Sequence, residues 1–382
     1  MNPTGSAGHP GPTWAILAGG GTAGHLLPGL AVAGELVERG HDRSTLHFVG
    51  AERGIEARLV PEAGFDVTLL PGRGIQRRLT LDNVSAVVGL VAALWKAIVL
   101  VRRRRPSVVL ALGGFASAAC AIAAVLWRVP LVIAEQNARA GAANRLVARF
   151  ARACAVPFAE TDLPNAVVTG NPVRPEILDA AERRDRDGAR AELGLPADRT
   201  VVVVFAGSLG SRRLNAAMYG AAQRWSDRGD LAVLHVVGSR DFDDRPEVAR
   251  SGPPGTEGGP GRLWYRAISY EDRMDLLLAA ADLAVCRSGG TTVAELAVIG
   301  VPAVLVPLPI ATRDHQRANA GELVRSGAAV LVDDDALDTD RLVAEVDAMC
   351  AGDLVALAER ARSLGRPDAA VAVADLLERS AR

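Results

Sequence analysis

The sequence predicts an α/β protein built from two similar domains, each a doubly wound, Rossmann-like parallel sheet with helices on both faces. At 382 residues the chain is long enough for two domains. Short apolar runs alternate with amphipathic helical segments along both halves, a pattern typical of βαβ units. Hydrophobic residues make up 49% of the chain but aromatic residues only 4%. Small, branched side chains of this kind suit strands that are covered on both faces.

The first domain is expected over residues 13–172, after a flexible tail at residues 1–12 that lacks the basic start and apolar core of a signal peptide. It opens with an apolar run at Trp14–Ala18 and a glycine-rich turn. A helix is predicted next, over His25–Arg39, because its apolar side chains recur on one face. Further strands are predicted at Leu46–Val49, Val67–Leu70, Val108–Leu112 and Leu131–Ala134.

The alternation breaks between Asn171 and Asp198, where prolines and a charged run are concentrated, so we place the domain junction near Pro172–Arg174. The second domain is expected over residues 173–365. It begins with a second strand–glycine–helix unit, and its further strands are predicted at Leu231–Val237, Leu283–Cys286 and Ala303–Val306. The final helical stretch, within residues 366–382, can pack on either domain, including back on the first.

Charge and cysteine content narrow the classes of function. A net charge of −1 does not indicate a nucleic-acid-binding protein, because such proteins are usually strongly basic. The charge is uneven, however, because residues 1–170 hold 17 Lys and Arg against 11 Asp and Glu, while the remainder is acidic. A basic first half indicates an anionic ligand or surface on that side. The four cysteines lie far apart without a CxxC pair, which argues against a disulfide framework or a zinc site and fits a reducing cytosol.

Three glycine-rich turns between a strand and a helix are the main candidates for ligand binding. The first, Gly19–Gly24, matches GxGxxG, and the helix that follows offers free N–H groups to an anion. A plain tight turn is the alternative. A dinucleotide site would need an acid at the end of the second strand, whereas Glu52 lies beyond it. The second turn, Gly207–Ser211, repeats the arrangement, and two such turns suit a diphosphate ligand.

The third turn runs from Arg287 to Glu295. Glu295 can accept hydrogen bonds from two adjacent hydroxyls, as on a ribose. Alternatively, Thr292 and Glu295 form a capping box that satisfies the helix start internally. At the first turn, His25 lies where the loop becomes a helix. A neutral imidazole there can act as a general base, and a structural histidine is the alternative.

Other polar segments follow predicted strands or lie at the junction. Glu135–Asn137 closes a buried strand, at the end where parallel sheets bind their ligands. Asn171–Arg174 is either part of a hinge site or a surface turn, and Asp314–Asn319 suits the hydroxyls of a sugar. Two acidic groups, Asp241–Asp244 and Asp333–Asp335, invite a metal interpretation. Solvated loops are the preferred interpretation, and no metal is predicted.

Residues 84–105 form a mostly apolar segment that ends in four arginines and follows a basic stretch at residues 72–78. A membrane span is one interpretation, but Lys96 lies inside the segment and a core strand follows it. A buried helix is another. The functional alternative is an apolar patch ringed by arginines that rests on anionic lipid head groups.

Six motifs occur in order along the chain: GGTAGH, EQN, GNPVR, GSLGSRRLN, RSGGTTVAE and HQRANA. Together they resemble the MurG family, transferases that move N-acetylglucosamine from its UDP carrier onto a lipid-linked muramoyl-pentapeptide in bacterial cell-wall synthesis. The resemblance implies a GT-B fold, with the donor held mostly by the second domain. It also implies inverting transfer to the C4 hydroxyl of the muramoyl sugar (lipid I to lipid II), with no cofactor and no metal.

The resemblance implies roles for individual positions, with His25 as the proposed base. The implied substrate-binding positions are Thr22, Ala23 and Gly24 in the first turn, Asn137 and Gln316 for the sugar, Arg174 and Ser208 for the diphosphate, Glu271 near the uracil, and Gly290, Thr291, Thr292, Val293, Ala294 and Glu295 for the nucleoside. The implied membrane patch comprises Ile75, Arg77, Arg78 and Trp127.

Three positions depart from the usual pattern of that family: Ala23 replaces a glycine, Ala134 a histidine and Leu209 a glutamine. The implied partners are UDP-N-acetylglucosamine, the undecaprenyl-diphosphate-linked acceptor, anionic inner-membrane lipids, and cell-wall synthesis or division proteins. The implied location is the cytoplasmic face of the cell membrane. The alternatives are a UDP-N-acetylglucosamine epimerase or another UDP-sugar transferase on the same fold, a nicotinamide oxidoreductase and a non-enzymatic nucleotide-sugar sensor.

Overall fold

The computed structural model describes residues 13–52, 54–72, 82–207, 209–246 and 261–382, with side chains throughout except at residues 82–88. The predicted tail at residues 1–12 lies outside these ranges. The chain divides into two compact units. Unit 1 comprises Met1–Arg174 and Asp368–Arg382, and unit 2 comprises Pro175–Pro367.

Unit 1 contains a seven-stranded sheet in the order β3-β2-β1-β4-β5-β6-β7, in which every strand pair is parallel. The strands are β1 (Ala15–Gly19), β2 (Leu46–Ala51), β3 (Asp66–Leu70), β4 (Val108–Gly113), β5 (Leu131–Ala134), β6 (Ala153–Val156) and β7 (Ala166–Val168). Ala18 pairs with Ala111 but Gly19 pairs with Gly113, so the register skips Leu112. The two central strands therefore end side by side in glycines.

Helices cover both faces of this sheet. They are α1 (Ala23–Glu38), α2 (Glu56–Glu62), α3 (Asp82–Arg104), α4 (Gly114–Leu126) and α5 (Ala142–Val147), together with the helix at the end of the chain. Successive strand residues face opposite ways. Ile16 packs with apolar residues of α3 and α4, whereas Leu17 packs with those of α1 and the last helix. Because both faces are buried, the strands appear in the sequence as continuous apolar runs.

Unit 2 contains a six-stranded parallel sheet in the order β10-β9-β8-β11-β12-β13. The strands are β8 (Thr200–Phe205), β9 (Leu231–Val236), β10 (Trp264–Ile268), β11 (Leu283–Cys286), β12 (Ala303–Leu305) and β13 (Ala329–Leu331). The helices are α6 (Pro175–Arg183), α7 (Arg186–Leu193), α8 (Arg212–Arg224), α9 (Met274–Ala280), α10 (Gly290–Ile299), α11 (His315–Arg325), α12 (Thr339–Ala351) and α13 (Leu354–Ser363).

In each sheet the strand order reverses once, between β1 and β4 in unit 1 and between β8 and β11 in unit 2. Crevices at the carboxyl ends of strands, next to such a reversal, are where open α/β sheets bind ligands. All three glycine-rich turns follow β1, β8 or β11. The topology therefore brings the predicted turns to the expected binding edge of each sheet.

The last helix, α14 (Ala369–Ser380), belongs to unit 1 and packs on α1. Arg39, directly after α1, donates to Asp375 at 2.7 Å and to Glu378 at 2.8 Å. Val373 and Leu377 are fully buried in the core on that side of the sheet. Apolar burial and an arginine held by carboxylates thus attach the end of the chain to unit 1.

The predicted fold class is confirmed, and each predicted strand occurs within two residues of its expected bounds. The sequence does not predict β6, β7, β10 and β13. Of these, β7 is an exposed edge strand of only three residues, shorter than the apolar runs from which strands are predicted. Residues 84–105 fall mainly within α3. In the part of the chain that the structure describes, no helix is both long and apolar enough to cross a membrane.

Candidate functional site

The site in unit 1 begins with the glycine turn between β1 and α1. Gly21 has a φ of +97°, a conformation that favours glycine. Thr22 is the extended N-cap residue of α1, but its side chain makes no capping hydrogen bond. Its Oγ1 instead lies 3.1 Å from Nδ1 of His25, which is half-buried in the first helical turn. Four consecutive residues that the sequence singled out therefore form the start of α1: Thr22, Ala23, Gly24 and His25.

Two glycines at the end of β4 make room for this turn. A methyl group on Gly113, which has a φ of +108°, would lie 2.9 Å from the imidazole of His25. A methyl group on Gly114 would lie 2.5 Å from the carbonyl oxygen of Gly20. Sequence reasoning did not identify these two residues. The signal was available, since paired glycines that end a buried strand indicate close approach of other backbone.

A buried carboxylate organises the loop after β5. Glu135 Oε1 accepts from the backbone N–H groups of Gln136 (3.1 Å) and Asn137 (3.0 Å) and from the Asn137 amide (3.2 Å). Its Oε2 accepts from the Gly141 N–H at 3.0 Å and the Asn144 amide at 2.9 Å. Five donors compensate the cost of burying the carboxylate. Glu135 thereby sets the position of Asn137, the predicted sugar contact, which is half-buried.

The segment at the predicted junction is not a surface turn. Asn171, Pro172 and Val173 are buried and Arg174 is half-buried. Neither amide atom of Asn171 has a hydrogen-bond partner among the residues that the structure describes. Buried amide groups are normally hydrogen-bonded, so this side chain stands out among the described polar residues. The surface-turn alternative is wrong because three of the four residues are buried.

In unit 2 the turn after β8 packs directly on the end of β9. Gly207 and Gly210 have φ values of +80° and +71°, and Ser211 caps α8 by accepting from the Leu214 N–H at 3.4 Å. A methyl group on Gly210 would overlap the carbonyl oxygen of Val237. Leu209 is mostly exposed. Ser208, the predicted diphosphate contact, lies outside the described residues.

A network of buried polar side chains, linked by hydrogen bonds, supports this turn. Asn215 donates through Nδ2 to the Val237 carbonyl at 3.0 Å, so its Oδ1 faces Nε2 of His235, also at 3.0 Å. His235 Nε2 must therefore carry the proton, and Nδ1 accepts from the Tyr265 hydroxyl at 2.8 Å. Burial lowers the pKa of His235 to about 3 and keeps the ring neutral. Sequence analysis missed this network, although Asn215 lies within a quoted motif.

The turn after β11 does not contain the predicted capping box. Gly289 is the N-cap residue of α10 and no side chain caps the helix. Thr292 therefore lies inside the first turn, and that alternative is wrong. Glu295 lies on the buried side of α10 and is 4% exposed. Gly290, Thr291, Thr292, Val293 and Ala294 form the helix start with it.

Two predicted contacts are fixed by local hydrogen bonds in unit 2. Gln316, in the first turn of α11, accepts through Oε1 from the Leu308 N–H at 2.9 Å. Glu271, after β10, accepts through Oε1 from the Arg273 N–H at 2.8 Å. Tyr270 beside it is exposed. These bonds fix Gln316 at the start of α11 and Glu271 in the loop after β10, and both segments follow strands at the expected binding edge.

The acidic groups considered for a metal pair with arginines. Arg287 Nη2 lies 2.7 Å from Asp334 Oδ1 and donates to Ser211 Oγ at 2.7 Å. Hydrogen bonds from Arg240 and Arg212 lower the pKa of Asp241 to about 2. In the described ranges no group of three His, Cys, Asp or Glu side chains is arranged to hold a metal.

Exposed apolar side chains lie on α3, α4, α5 and the short segments after α4 and α5, and we refer to them together as the apolar patch. We define it by six exposed side chains: Val91, Trp95, Leu126, Trp127, Leu146 and Phe150. Arginines flank it, with Arg102 over the Trp127 ring at 5.1 Å and Arg149 over the Phe150 ring at 4.7 Å. Of the predicted membrane residues, Trp127 lies in the patch, and Ile75, Arg77 and Arg78 lie outside the described residues.

Comparisons with known proteins cover both units. Residues 15–156 match the glycosyltransferase family 28 N-terminal domain, and residues 201–377 match the C-terminal domain of that family. The UDP-N-acetylglucosamine 2-epimerase of Neisseria meningitidis, solved with UDP-N-acetylglucosamine, is 14% identical with a TM-score of 0.66. It covers 96% of this chain and 100% of its own, and this likeness shows the fold alone.

Two relatives named as transferases and one solved structure named MurG are more similar. The UDP-N-acetylglucosamine–N-acetylmuramyl-(pentapeptide) pyrophosphoryl-undecaprenol N-acetylglucosamine transferase of Desulforudis audaxviator is 38% identical, over 96% of this chain and 98% of its own. The transferase of the same name from a Nocardioides species is 41% identical, over 96% of each chain. The crystal structure of Acinetobacter baumannii MurG is 26% identical with a TM-score of 0.72, over 96% of this chain and 100% of that one. This chain therefore belongs to the MurG family of glycosyltransferases.

Proposed function

We propose that this protein transfers N-acetylglucosamine from UDP-N-acetylglucosamine to the C4 hydroxyl of the muramoyl-pentapeptide on undecaprenyl diphosphate. One observation carries the proposal. Relatives that share a single named activity match this chain at 38% and 41% identity over nearly its whole length, so both units are represented. The cell would use this reaction to convert lipid I into lipid II in peptidoglycan synthesis.

The chemistry is a direct displacement with inversion. The acceptor oxygen forms a bond to the anomeric carbon while the bond from that carbon to the UDP oxygen breaks. The proton of the attacking hydroxyl goes to His25. In the tautomer whose Nδ1–H is donated to Thr22 Oγ1, at 3.1 Å, Nε2 is the basic nitrogen. A positioned general base of this kind is worth about 10²–10⁴-fold in rate.

Donor recognition is proposed for the turns of unit 2 and the residues near them. Glu295 would hold the ribose hydroxyls from its buried position at the start of α10, and backbone near Glu271 would meet the uracil. Arg174 and Ser208 would contact the diphosphate, and Asn137 and Gln316 the sugar. N–H groups at helix starts suit developing negative charge on the leaving UDP. The pairing of Asp241 and Asp334 with arginines supports a reaction without a metal.

Membrane association is proposed for unit 1. The apolar patch and its arginines combine the two features that attract a protein to an anionic bilayer surface, which are apolar side chains able to insert and cations able to meet head groups. The lipid-linked acceptor would be reached from that surface. We accordingly propose the cytoplasmic face of the cell membrane as its location and cell-wall synthesis or division proteins as its partners.

The test is UDP release from UDP-N-acetylglucosamine with and without a short-chain lipid-linked muramoyl-pentapeptide, in metal-free buffer containing a chelator. Acceptor-dependent release, with formation of the disaccharide lipid, is the expected result. Loss of release in chelator that returns with a divalent cation would overturn the metal-free proposal. Acceptor-independent conversion of the sugar would instead favour an epimerase, and donor binding without turnover would favour a sensor.

A further inference from the structure

Glu56, which sequence analysis did not single out, has a structural link to the first glycine turn. It is the first residue of α2 and lies 35 positions after Gly21 in the chain. Its side chain is 1% exposed. Oε1 accepts from the Gly21 N–H at 2.5 Å, and no described group pairs with Oε2. A carboxylate this deeply buried needs a reason, because burial of a charge is costly.

Three glycines surround this carboxylate. A methyl group on Gly50 would lie 2.6 Å from Cβ of Glu56, and one on Gly20 would lie 3.2 Å from its Oε1. A methyl group on Gly54 would overlap the carboxylate itself. The backbone of β2, of the loop after it and of the first glycine turn thus closes around one side chain. The side chain has little room to adopt another position.

The Gly21 N–H is therefore not available to a phosphate. A glycine turn that opens a helix usually presents its N–H groups to an anion. Here one of them is occupied by a carboxylate, and a phosphate at the same place would meet a like charge. In this respect the turn after β1 differs from the turns of unit 2. We therefore expect it to have a role other than phosphate binding.

The contacts around the turn indicate that use. From Gly21 the chain continues through Thr22, whose Oγ1 lies 3.1 Å from His25 Nδ1. The imidazole lies directly against Gly113. Glu56 therefore holds one end of a short segment whose other end carries the proposed base.

We propose that Glu56 is a positioning residue, whose carboxylate holds the Gly21 N–H and so fixes the first glycine turn and the imidazole of His25. The proposal rests on the transferase function proposed above. Glu56 acts through the turn and touches no substrate. Its loss should lower kcat and leave the KM for UDP-N-acetylglucosamine unchanged, because the proposed donor contacts lie mostly in unit 2.

The variants are Glu56→Ala, Glu56→Gln and the matched control Glu62→Ala, which removes an exposed carboxylate from the same helix. We expect E56A to lower kcat by about tenfold or more, as for loss of a hydrogen bond to a charged group, with donor KM within about twofold of wild type. E56Q keeps an acceptor for the Gly21 N–H and should recover most of the lost kcat. E62A should resemble wild type.

Hydrogen exchange provides a readout that does not depend on turnover. In the wild-type protein the Gly21 amide should exchange slowly, and in E56A it should exchange at least about tenfold faster, with E56Q in between. If the wild-type protein shows no transfer, the proposed function fails and exchange alone decides the role of Glu56. Equal exchange in wild type and E56A, or equal kcat in a folded E56A, would overturn the inference. If E56A does not fold, a folded E56Q with wild-type kcat supports the proposal and a tenfold loss contradicts it.

Discussion

The imidazole of His25 lies against Gly113, so close that a methyl group on the glycine would come within 2.9 Å of the ring. The two residues belong to neighbouring elements, α1 and β4, and meet where the strand order of unit 1 reverses. Gly113 also has a φ of +108°, a conformation that side chains rarely adopt. The imidazole of the proposed base therefore occupies space that is open only because residue 113 has no side chain.

Substitution of Gly113 by alanine should displace His25. We expect G113A to lower kcat by about tenfold or more, because a shift of about 1 Å in a catalytic group is costly, while donor KM stays near wild type. The matched control is G34A in α1, where an added methyl group meets nothing within 4 Å and should be neutral or slightly stabilising. Steady-state kinetics decide the question. A fully active G113A would show that the imidazole is not held at this place.

Removal of the imidazole itself should be more severe. We expect H25A to lower kcat by about 10²–10⁴-fold, the usual contribution of a general base, without weakening the binding of UDP-N-acetylglucosamine. T22V, which removes the partner of Nδ1, should cause a smaller loss, and T22S should restore it. Turnover at saturating substrate and donor binding by calorimetry are the measurements. Near-full turnover of H25A would assign proton removal to another group.

Two buried histidines predict how stability depends on pH. Burial lowers the pKa of His235 to about 3, and burial together with the charge of Arg104 lowers that of His47 to about 3. In the unfolded chain both return to about 6.5. As the pH falls below that value, the unfolded state binds protons that the folded state does not. The free energy of unfolding must therefore fall, by up to about 1.4 kcal/mol per pH unit for each histidine.

Urea unfolding between about pH 7 and pH 5 measures this slope. H47Q should reduce the slope in unit 1, and H235Q in unit 2, although H235Q also breaks the bonds to Asn215 and Tyr265 and should lower stability by about 1–3 kcal/mol. The comparison concerns the slope and not the absolute stability. An identical pH slope in wild type and both variants would show that neither histidine is held neutral by the fold.

Loss of one large side chain from the apolar patch should weaken membrane binding. Trp95 is 69% exposed, and insertion of such a side chain is worth about 1.5–3 kcal/mol. W95S should therefore bind vesicles of phosphatidylglycerol about tenfold more weakly in a sedimentation assay. V355S, at an exposed position on α13 of unit 2, is the control. Equal binding of W95S and wild type would place the membrane contact elsewhere, and added salt should weaken binding through the arginines.

The amino-acid sequence by itself determined the fold class, most of the strands and the three glycine turns. These features are local, since a buried parallel strand is a continuous apolar run and a tight strand–helix turn needs glycine within a few residues. The order of six motifs was also enough to indicate the family. The edge strand β7 escaped prediction because its apolar run, Ala166–Val168, is only three residues long.

The tertiary structure decided which residues support the site. Glu56 reaches Gly21 across 35 positions, and His235 meets Tyr265 across 30, separations at which sequence spacing carries no information. The capping-box alternative is wrong for a related reason. Gly289 adopts an extended conformation, so α10 begins before Thr292. Backbone geometry rather than residue type therefore determines where this helix begins. Close packing of backbone against side chain exists only in the folded chain. It fixes the position of the proposed base within unit 1 and of the second glycine turn within unit 2.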